Sequence, residues 1–410
     1  MARAMGRGGL CMGQDRRLPG APGEPGRARR HRTLVCLCRQ SVGQLYRHGA
    51  GRPRRRGLGL TRRWGRLTLV LPLVLAGCLA DVPSVEWEPP VVVSDGWLAM
   101  GTFFEADLRV RPRDVDSARR WLEWARFEIA RLERISSRHD PESALSALNR
   151  ALGADDVLHT GARVDAELEA MLFESVGVWK ESGGAFDVTV GPLVDVWSNA
   201  VERGGWPDLE PLRLARRRVG AERLLLDGEG EIAVTVRGVQ IDLDGISKGA
   251  VLDRLRDDLA ARLPAAAALL SFGESSIVAI GAPDDRGWRL LVRSRDPARG
   301  SLGSVLLRDR ALSVSSSRGS VRAIAGVRVS HVIDPRTGTP VEGTVEAIVT
   351  ADRAARADAW STALLVLGAR PTALQLVEKA GVEAYVFGTA GRSAATQGWQ
   401  WAGAVGRSER

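Results

Sequence analysis

Residues 354–367 read as a helix that is apolar on almost every side, and this constrains the fold more than any other stretch. Ala357, Ala359, Trp360, Ala363, Leu364 and Leu365 leave little face for water, so the surface around them must be buried. Within it sit Asp358 and, one turn on, Thr362, whose oxygens face the same way. A buried carboxylate needs a partner. Hard oxygen ligands suit magnesium, which takes one or two carboxylates and completes its shell with water and substrate phosphate. A solvated helix face is the plainer alternative, and spacing alone leaves both open.

Other polar clusters share this character. Ser330-His331-Val332-Ile333-Asp334-Pro335-Arg336-Thr337-Gly338 sets a histidine and a carboxylate in an extended run, then turns at Pro335 and Gly338. Only three histidines follow residue 78, namely His139, His159 and His331. His331, three residues before Asp334 and beside a turn, is the acid–base candidate. Asp242-Leu243-Asp244-Gly245-Ile246-Ser247-Lys248-Gly249 joins an extended segment to a helix. Asp242 and Asp244 are expected on one face of a strand end. Gly245 would let the backbone approach a ligand, and Lys248 beside a helix N-terminus makes an anion site. The alternative is an ordinary strand-to-helix turn with a capping aspartate. Gly-x-x-Lys-Gly is too short for a Walker loop, which excludes that class of ATPase. Gly183-Gly184-Ala185-Phe186-Asp187, taken alone, is a helix C-cap with a buried Phe186. Met100-Gly101 in the first strand marks a bulge or a close ligand approach.

Total charge misleads. The formal +9 suggests a nucleic-acid partner, but residues 1–77 hold seventeen Arg or Lys against two acids, which leaves the rest near −6. A nucleic-acid role is therefore excluded for the body. The front reads as targeting sequence: arginines from Arg52 to Arg66, an apolar run Leu67–Ala76, then Gly77-Cys78. That run is too short to span a bilayer, which takes roughly 20 residues. Small residues before a cysteine resemble a bacterial lipoprotein signal, with Cys78 as the lipidated N-terminus of an exported, membrane-anchored protein; a plain secretory signal with an incidental cysteine is the alternative. Translation is expected to begin between residues 50 and 67. All four cysteines lie at or before Cys78, so the body has no disulfide, thiolate metal site or catalytic thiol.

The body divides into Cys78 with a Pro-containing tether to residue 95, a large domain over 96–395, and a tail over 396–410. Alternation at Phe104, Ala106, Leu108 and Val110 predicts one strand over Trp97–Val110, and helical spacing follows from Val115 to Leu132. A second helix is expected over 165–181 and a third over 246–263, with short strands at 223–226, 232–236 and 239–243 between them. Strands are expected at 267–272, 276–280, 288–292, 305–307, 311–314 and 345–350. Helices follow over 354–367 and 371–380, and a closing strand over 384–387. Strands cluster between groups of helices rather than alternating with them. The fold class is therefore α+β with largely antiparallel sheets and packed helices, in two closely joined halves.

In this order the segments resemble the FAD:protein FMN transferases, the ApbE-type flavin transferases once called thiamine-biosynthesis lipoproteins. The matching stretches are Met100-Gly101-Thr102, Asp140-Pro141-x-Ser143 with Leu145 and Asn149, Ser182–Leu193, Asp242–Ala250, Ser330–Gly338 and Ala357–Gly368. The resemblance implies a flavin-nucleotide site between the halves, a magnesium ion, and transfer of the FMN half of FAD to a Thr or Ser of an exported flavoprotein, with AMP released. It implies Asp358, Thr362 and the Gly245 carbonyl as magnesium ligands. Met100, His139, Ala185, Phe186, Asp187, Asp242, Lys248 and Ile333 are implied flavin-nucleotide contacts. His331 is implied as the catalytic histidine, with Asp334 to orient it and Lys248 to offset phosphate charge. His139 stands where the family usually has an aromatic. Ser271-Phe272-Gly273-Glu274-Ser275-Ser276 replaces a double glycine, and Val314-Ser315-Ser316-Ser317-Arg318-Gly319 is a loose version of a Ser-Gly stretch, so neither enters the site. Two alternatives share these residues: an exported FAD pyrophosphatase giving FMN and AMP, and an FAD-storing lipoprotein. The implied acceptor is a respiratory-complex subunit.

Overall fold

The computed structural model describes residues 88–154, 161–284, 286–294, 300–318 and 322–403. Cys78, the apolar run before it, His159 and the end of the tail lie outside the described residues.

The chain enters on strand β1 (Val91–Ala99), inside the stretch expected as tether, and returns on β2 (Thr102–Val110). The single strand expected over Trp97–Val110 is thus a hairpin. Its two-residue turn puts Met100 at φ 49° and Gly101 at φ 70°, the left-handed pair a tight hairpin requires. Methionine is an unusual first residue for such a turn, and the alternation of β2 hides the break. Helix α1 (Val115–Ser136) follows and buries Ala118, Leu122, Ala125, Ile129 and Leu132 along one stripe. Helix α2 (Ala144–Ala151) begins at Ser143, whose Oγ accepts from the Ser146 N–H.

Strand β3 (Ala162–Arg163) and helix α3 (Ala166–Glu181) come next. Gly183 (φ 63°) and Gly184 (φ 76°) end α3, with the Gly184 N–H donating to the Trp179 carbonyl. Helices α4 (Gly191–Arg203) and α5 (Leu209–Arg216) precede strands β4 (Leu224–Leu226) and β5 (Glu231–Val234). The strand expected at 239–243 does not form. That segment makes one isolated bridge, Val190 to Gln240, and is pinned instead by Asn149, which bonds both the N–H and the carbonyl of Ile241.

Helix α6 (Ser247–Arg262) leads into β6 (Ala267–Phe272), β7 (Ser276–Ile280), β8 (Trp288–Arg293), β9 (Ser301–Leu307) and β10 (Ala311–Ser316). Two short ribbons follow: β11 (Arg322–Ile324) with β12 (Val327–Val329), and β13 (Ile333–Asp334) with β14 (Thr339–Pro340). The chain closes through β15 (Thr344–Ala351), α7 (Ala354–Leu367), α8 (Pro371–Lys379), β16 (Glu383–Gly388) and β17 (Ser393–Ala395).

Eight strands form one antiparallel sheet in the order β1-β2-β6-β7-β10-β15-β16-β17. The fold is α+β, as the clustering of strands implies. Period-two alternation gives the sheet two buried faces. Val278, Ala311, Ala347 and Val349 face the main core beneath α1, α6 and α7. Ala279, Leu312, Val314 and Ile348 face a second core closed by β8, β9, Trp399 and Trp401. Trp399 and Trp401 are therefore packed, not tail. Strand β15 is buried at all eight positions because both faces are covered.

Helices α6 and α7 meet at Gly249. A Cβ there would lie 2.3 Å from the Ala354 carbonyl oxygen, so only glycine admits this approach. The contact is reciprocal in its hydrogen bonds. Asp253 on α6 accepts from the Ala354 and Ala355 N–H groups at 2.8 and 3.0 Å, capping α7, while the Gly249 N–H donates to Asp358.

Candidate functional site

A cavity of about 940 Å³ opens where α6, α7 and β10 meet the 185–187 loop, the 242–245 segment, α4 and the β11–β14 ribbons. Its lining includes His139, Ala185, Phe186, Asp187, Asp242, Gly245, Lys248, His331, Ile333, Asp358 and Thr362. Folding therefore gathers residues from five segments far apart in sequence. Met100 and Asp334, also expected at the site, are not among the lining residues. Met100 sits in the β1–β2 turn against the main core.

Asp358 is 5% exposed and forms the floor. Its Oδ1 accepts from the Ser276 hydroxyl at 3.1 Å and the Ser313 hydroxyl at 3.0 Å, and its Oδ2 accepts from the Gly249 N–H at 3.1 Å. Burial pushes its pKa above the usual carboxylate value, partly offset by Lys248 and these hydrogen bonds. Ser361 adds a further link, lying 3.0 Å from Ser313 Oγ and 2.6 Å from Ser315 Oγ. Thr362, one turn beyond Asp358, would stand 3.3 Å from a Cβ on Gly245, so the Gly245 backbone lies against its hydroxyl. A buried carboxylate whose hydrogen-bond donors are all uncharged, a threonine hydroxyl and a close backbone segment make an oxygen donor set that fits a small hard cation.

The wall beside the floor is ionic. No strand forms at 239–243, yet Asp242 lines the cavity together with Asp244. Asp242 Oδ2 accepts from Arg138 Nη1 at 2.6 Å, and its Oδ1 from the Asp244 N–H at 3.0 Å. Arg138 also donates to Asp195 at 2.7 Å. Burial disfavours the Arg138 charge, but Asp242 and Asp195 more than offset this and hold the guanidinium protonated. Asp244 faces the open cavity and is 60% exposed, with His139 Nε2 at 3.4 Å. Its pKa is raised by crowding protein and by Asp242, and pulled back by His139 and Lys248. Lys248 Nζ donates to the Asp244 carbonyl at 3.2 Å, which holds the cation over the floor.

Asp187 lines the cavity, but its carboxylate is occupied elsewhere. Oδ1 accepts from the Thr189 N–H and hydroxyl at 2.8 and 2.6 Å, and Oδ2 from the Ala221 N–H at 3.1 Å. Burial pushes its pKa up to about 6, against these hydrogen bonds. Its visible work is to tie the loop after Phe186 to the 220–221 turn. Phe186 itself is buried, its N–H donating to Ser182 Oγ at 3.1 Å.

His331 lies between β12 and β13 and lines the cavity from the wall made by the short ribbons. The orienting role expected of Asp334 is not seen. Both Asp334 oxygens pair with Arg336, at 3.0 Å from Nε and 2.9 Å from Nη2, because the turn brings that guanidinium back over its own strand. The ribbon is fixed by Trp197 Nε1 donating to the Gly338 carbonyl at 2.8 Å. Arg322 on β11 lines the cavity and donates to Ser198 on α4 at 2.8 Å.

Sequence reasoning missed several lining residues. Arg138, Asp195, Ser198 and Arg322 belong to no motif. Ser315 and Ser316 lie in the stretch set aside as a loose Ser-Gly variant, and both line the cavity, as does Ser275. The signal was the alternation of Ala311, Ser313 and Ser315 on one face of β10, small residues where α7 packs closely.

Comparison with known proteins matches the family model described as "ApbE family" over residues 100–386. The FAD:protein FMN transferase of Treponema pallidum is 31% identical over 275 residues, covering 62% of this chain and 74% of that protein. The protein of the same name from Escherichia coli K12 is 26% identical over 341 residues, covering 79% and 92%. Among solved structures, the flavin transferase ApbE from Vibrio cholerae superposes with a TM-score of 0.64 at 23% identity, over 75% of this chain and 98% of that one. The ApbE protein of Thermotoga maritima gives 0.66 at 23%, over 75% and 97%.

Proposed function

The chain belongs to the ApbE family, and from that premise we propose that it transfers the FMN half of FAD to a Thr or Ser hydroxyl of an acceptor protein, magnesium-dependent and with release of AMP. One observation carries this reading: a single cavity is lined by a buried carboxylate, a threonine hydroxyl, a lysine and a histidine. That is the equipment for moving a phosphoryl group between oxygens.

Attack of a hydroxyl on a pyrophosphate is mainly a problem of positioning and charge. The new bond joins the acceptor oxygen to the FMN phosphorus. The bond that breaks joins this phosphorus to the oxygen that leaves on AMP. Asp358, Thr362 and the Gly245 carbonyl would hold a magnesium ion, which supplies Lewis-acid charge to the phosphate oxygens. Lys248 places a further positive charge beside the floor. His331 takes the proton of the acceptor hydroxyl. Phe186 and Ile333 give the apolar surface against which a flavin ring lies, and Arg322 adds a cation on the histidine side. Asp334 acts only through the shape of its turn.

For location, we infer that Cys78 is lipidated and anchors an exported enzyme at a membrane; loss of fatty-acid labelling in Cys78→Ala would support this, and persistence would refute it.

Mass spectrometry tests the activity. Protein incubated with FAD, magnesium and a flavin-acceptor subunit of a respiratory complex should add an FMN-sized mass to that subunit. FMN and AMP in solution beside an unmodified acceptor would point to the pyrophosphatase instead. FAD retained without any turnover would point to storage.

A further inference from the structure

The hydrogen bonds around Asp358 divide its two oxygens unequally. Ser276 and Ser313 are direct cross-strand partners on β7 and β10, and each is 1% exposed. Both hydroxyls donate to Oδ1, while Oδ2 accepts a single N–H from Gly249. A carboxylate oxygen offers two in-plane lone pairs. Oδ1 is therefore filled and Oδ2 keeps one lone pair open. The register that opposes Ser276 to Ser313 sets this, and burial removes water as a competing partner for either hydroxyl.

We propose that Ser276 and Ser313 are specificity-determining residues that restrict Asp358 to one-oxygen ligation and so make the site select magnesium over calcium. The inference rests on the cation assignment of the proposed function. Magnesium takes octahedral geometry with single-oxygen carboxylate ligands, whereas calcium takes more oxygens and readily uses both oxygens of one carboxylate. Saturating Oδ1 withholds the second oxygen that a larger ion would use. Ser361, hydrogen-bonded between Ser313 and Ser315, holds the Ser313 hydroxyl in line, so it acts through Ser313 and not on the ion.

The test uses the whole protein and reads binding, not turnover. Manganese bound to the protein is followed by electron paramagnetic resonance and displaced by magnesium or by calcium. The wild type should favour magnesium. In Ser276→Ala and Ser313→Ala, tested separately with thermal melts as the folding control, the calcium-to-magnesium affinity ratio should rise about tenfold, equivalent to about 1.4 kcal/mol. Ser276→Thr keeps the hydroxyl and should keep the wild-type ratio even if the alanine variants fold poorly. A wild type that favours calcium, or an unchanged ratio in a folded alanine variant, would overturn the inference while leaving the transferase reading intact. Absence of any cation binding would remove both the inference and the magnesium assignment.

Discussion

The floor and the ribbon wall of the cavity are built on different foundations. The floor, Asp358 with its serines, is part of the main core: α7 is buried between β10, β15 and α6, and every donor to Asp358 comes from a regular element. The wall that carries His331 rests on its own small core of Leu193, Trp197, Ala200, Ala215, Val219, Ile324 and Ile333. Its strands β13 and β14 are two residues each, fixed by Trp197 and the Arg336 turn. A rigid floor holds charge in fixed geometry, and under the proposed function a lightly anchored wall brings acid–base chemistry to it. The two regions should therefore fail differently.

The largest difference is expected from the site residues. Asp358→Asn should reduce transfer by about 10³-fold or more and abolish cation binding, because the ion loses its one charged ligand. His331→Ala should lower kcat by roughly 10²–10⁴-fold, yet leave cation affinity unchanged and FAD affinity within about threefold. Rapid-quench turnover with parallel binding titrations checks both. Loss of cation binding in the histidine variant would erase the division between floor and wall.

Backbone substitutions sharpen it. Gly249→Ala forces a Cβ to within 2.3 Å of the Ala354 carbonyl oxygen, and neither backbone can yield without separating α6 from α7. A loss of about 3 kcal/mol is expected in denaturant titration. Gly338→Ala, at φ 80° in the turn after β13, meets only side-chain atoms and should cost about 1 kcal/mol, from backbone strain. Equal losses would mean that the wall is as firmly built as the floor. Trp197→Phe keeps an aromatic side chain, though a smaller one, but removes the bond to Gly338, and should cost at least about 1 kcal/mol with a larger proportional effect on kcat than on stability.

The smallest effect is a slope with pH. Asp187 has its folded-state pKa raised from 3.8 to about 6 by burial. Between those values the folded protein holds more protons than the unfolded chain, so this group's contribution to stability falls as pH rises and levels off above about 6. Asp187→Asn should flatten that part of the stability curve in melts across the window. A slope unchanged from wild type would assign it to other carboxylates.

Parts of both regions were legible in the sequence because they are local. The apolar run around Asp358 and Thr362 gives α7 residue for residue, and Gly183-Gly184 ends α3 as its φ values require. The strands β6, β7 and β15 follow from short apolar runs. Where the readings failed, a non-local partner decided the outcome. The 239–243 segment has strand composition but is claimed by Asn149 and the 188–190 loop. Asp334 sits three residues from His331, yet Arg336 occupies its oxygens. The break at Met100, hidden by the alternation of β2, turns a hairpin because the strand pairs back on β1.

By itself, then, the sequence determined the antiparallel α+β class and offered the candidate polar residues, since periodicity and side-chain type are properties of short stretches. Only the tertiary structure decided which of those residues meet. Strand register sets Ser276 opposite Ser313, the Gly249 contact delivers an N–H to Asp358, and Arg138 binds two carboxylates from separate segments. Hydrogen bonds of that kind depend on distances of a few ångströms between residues up to 109 positions apart, and no local pattern encodes them.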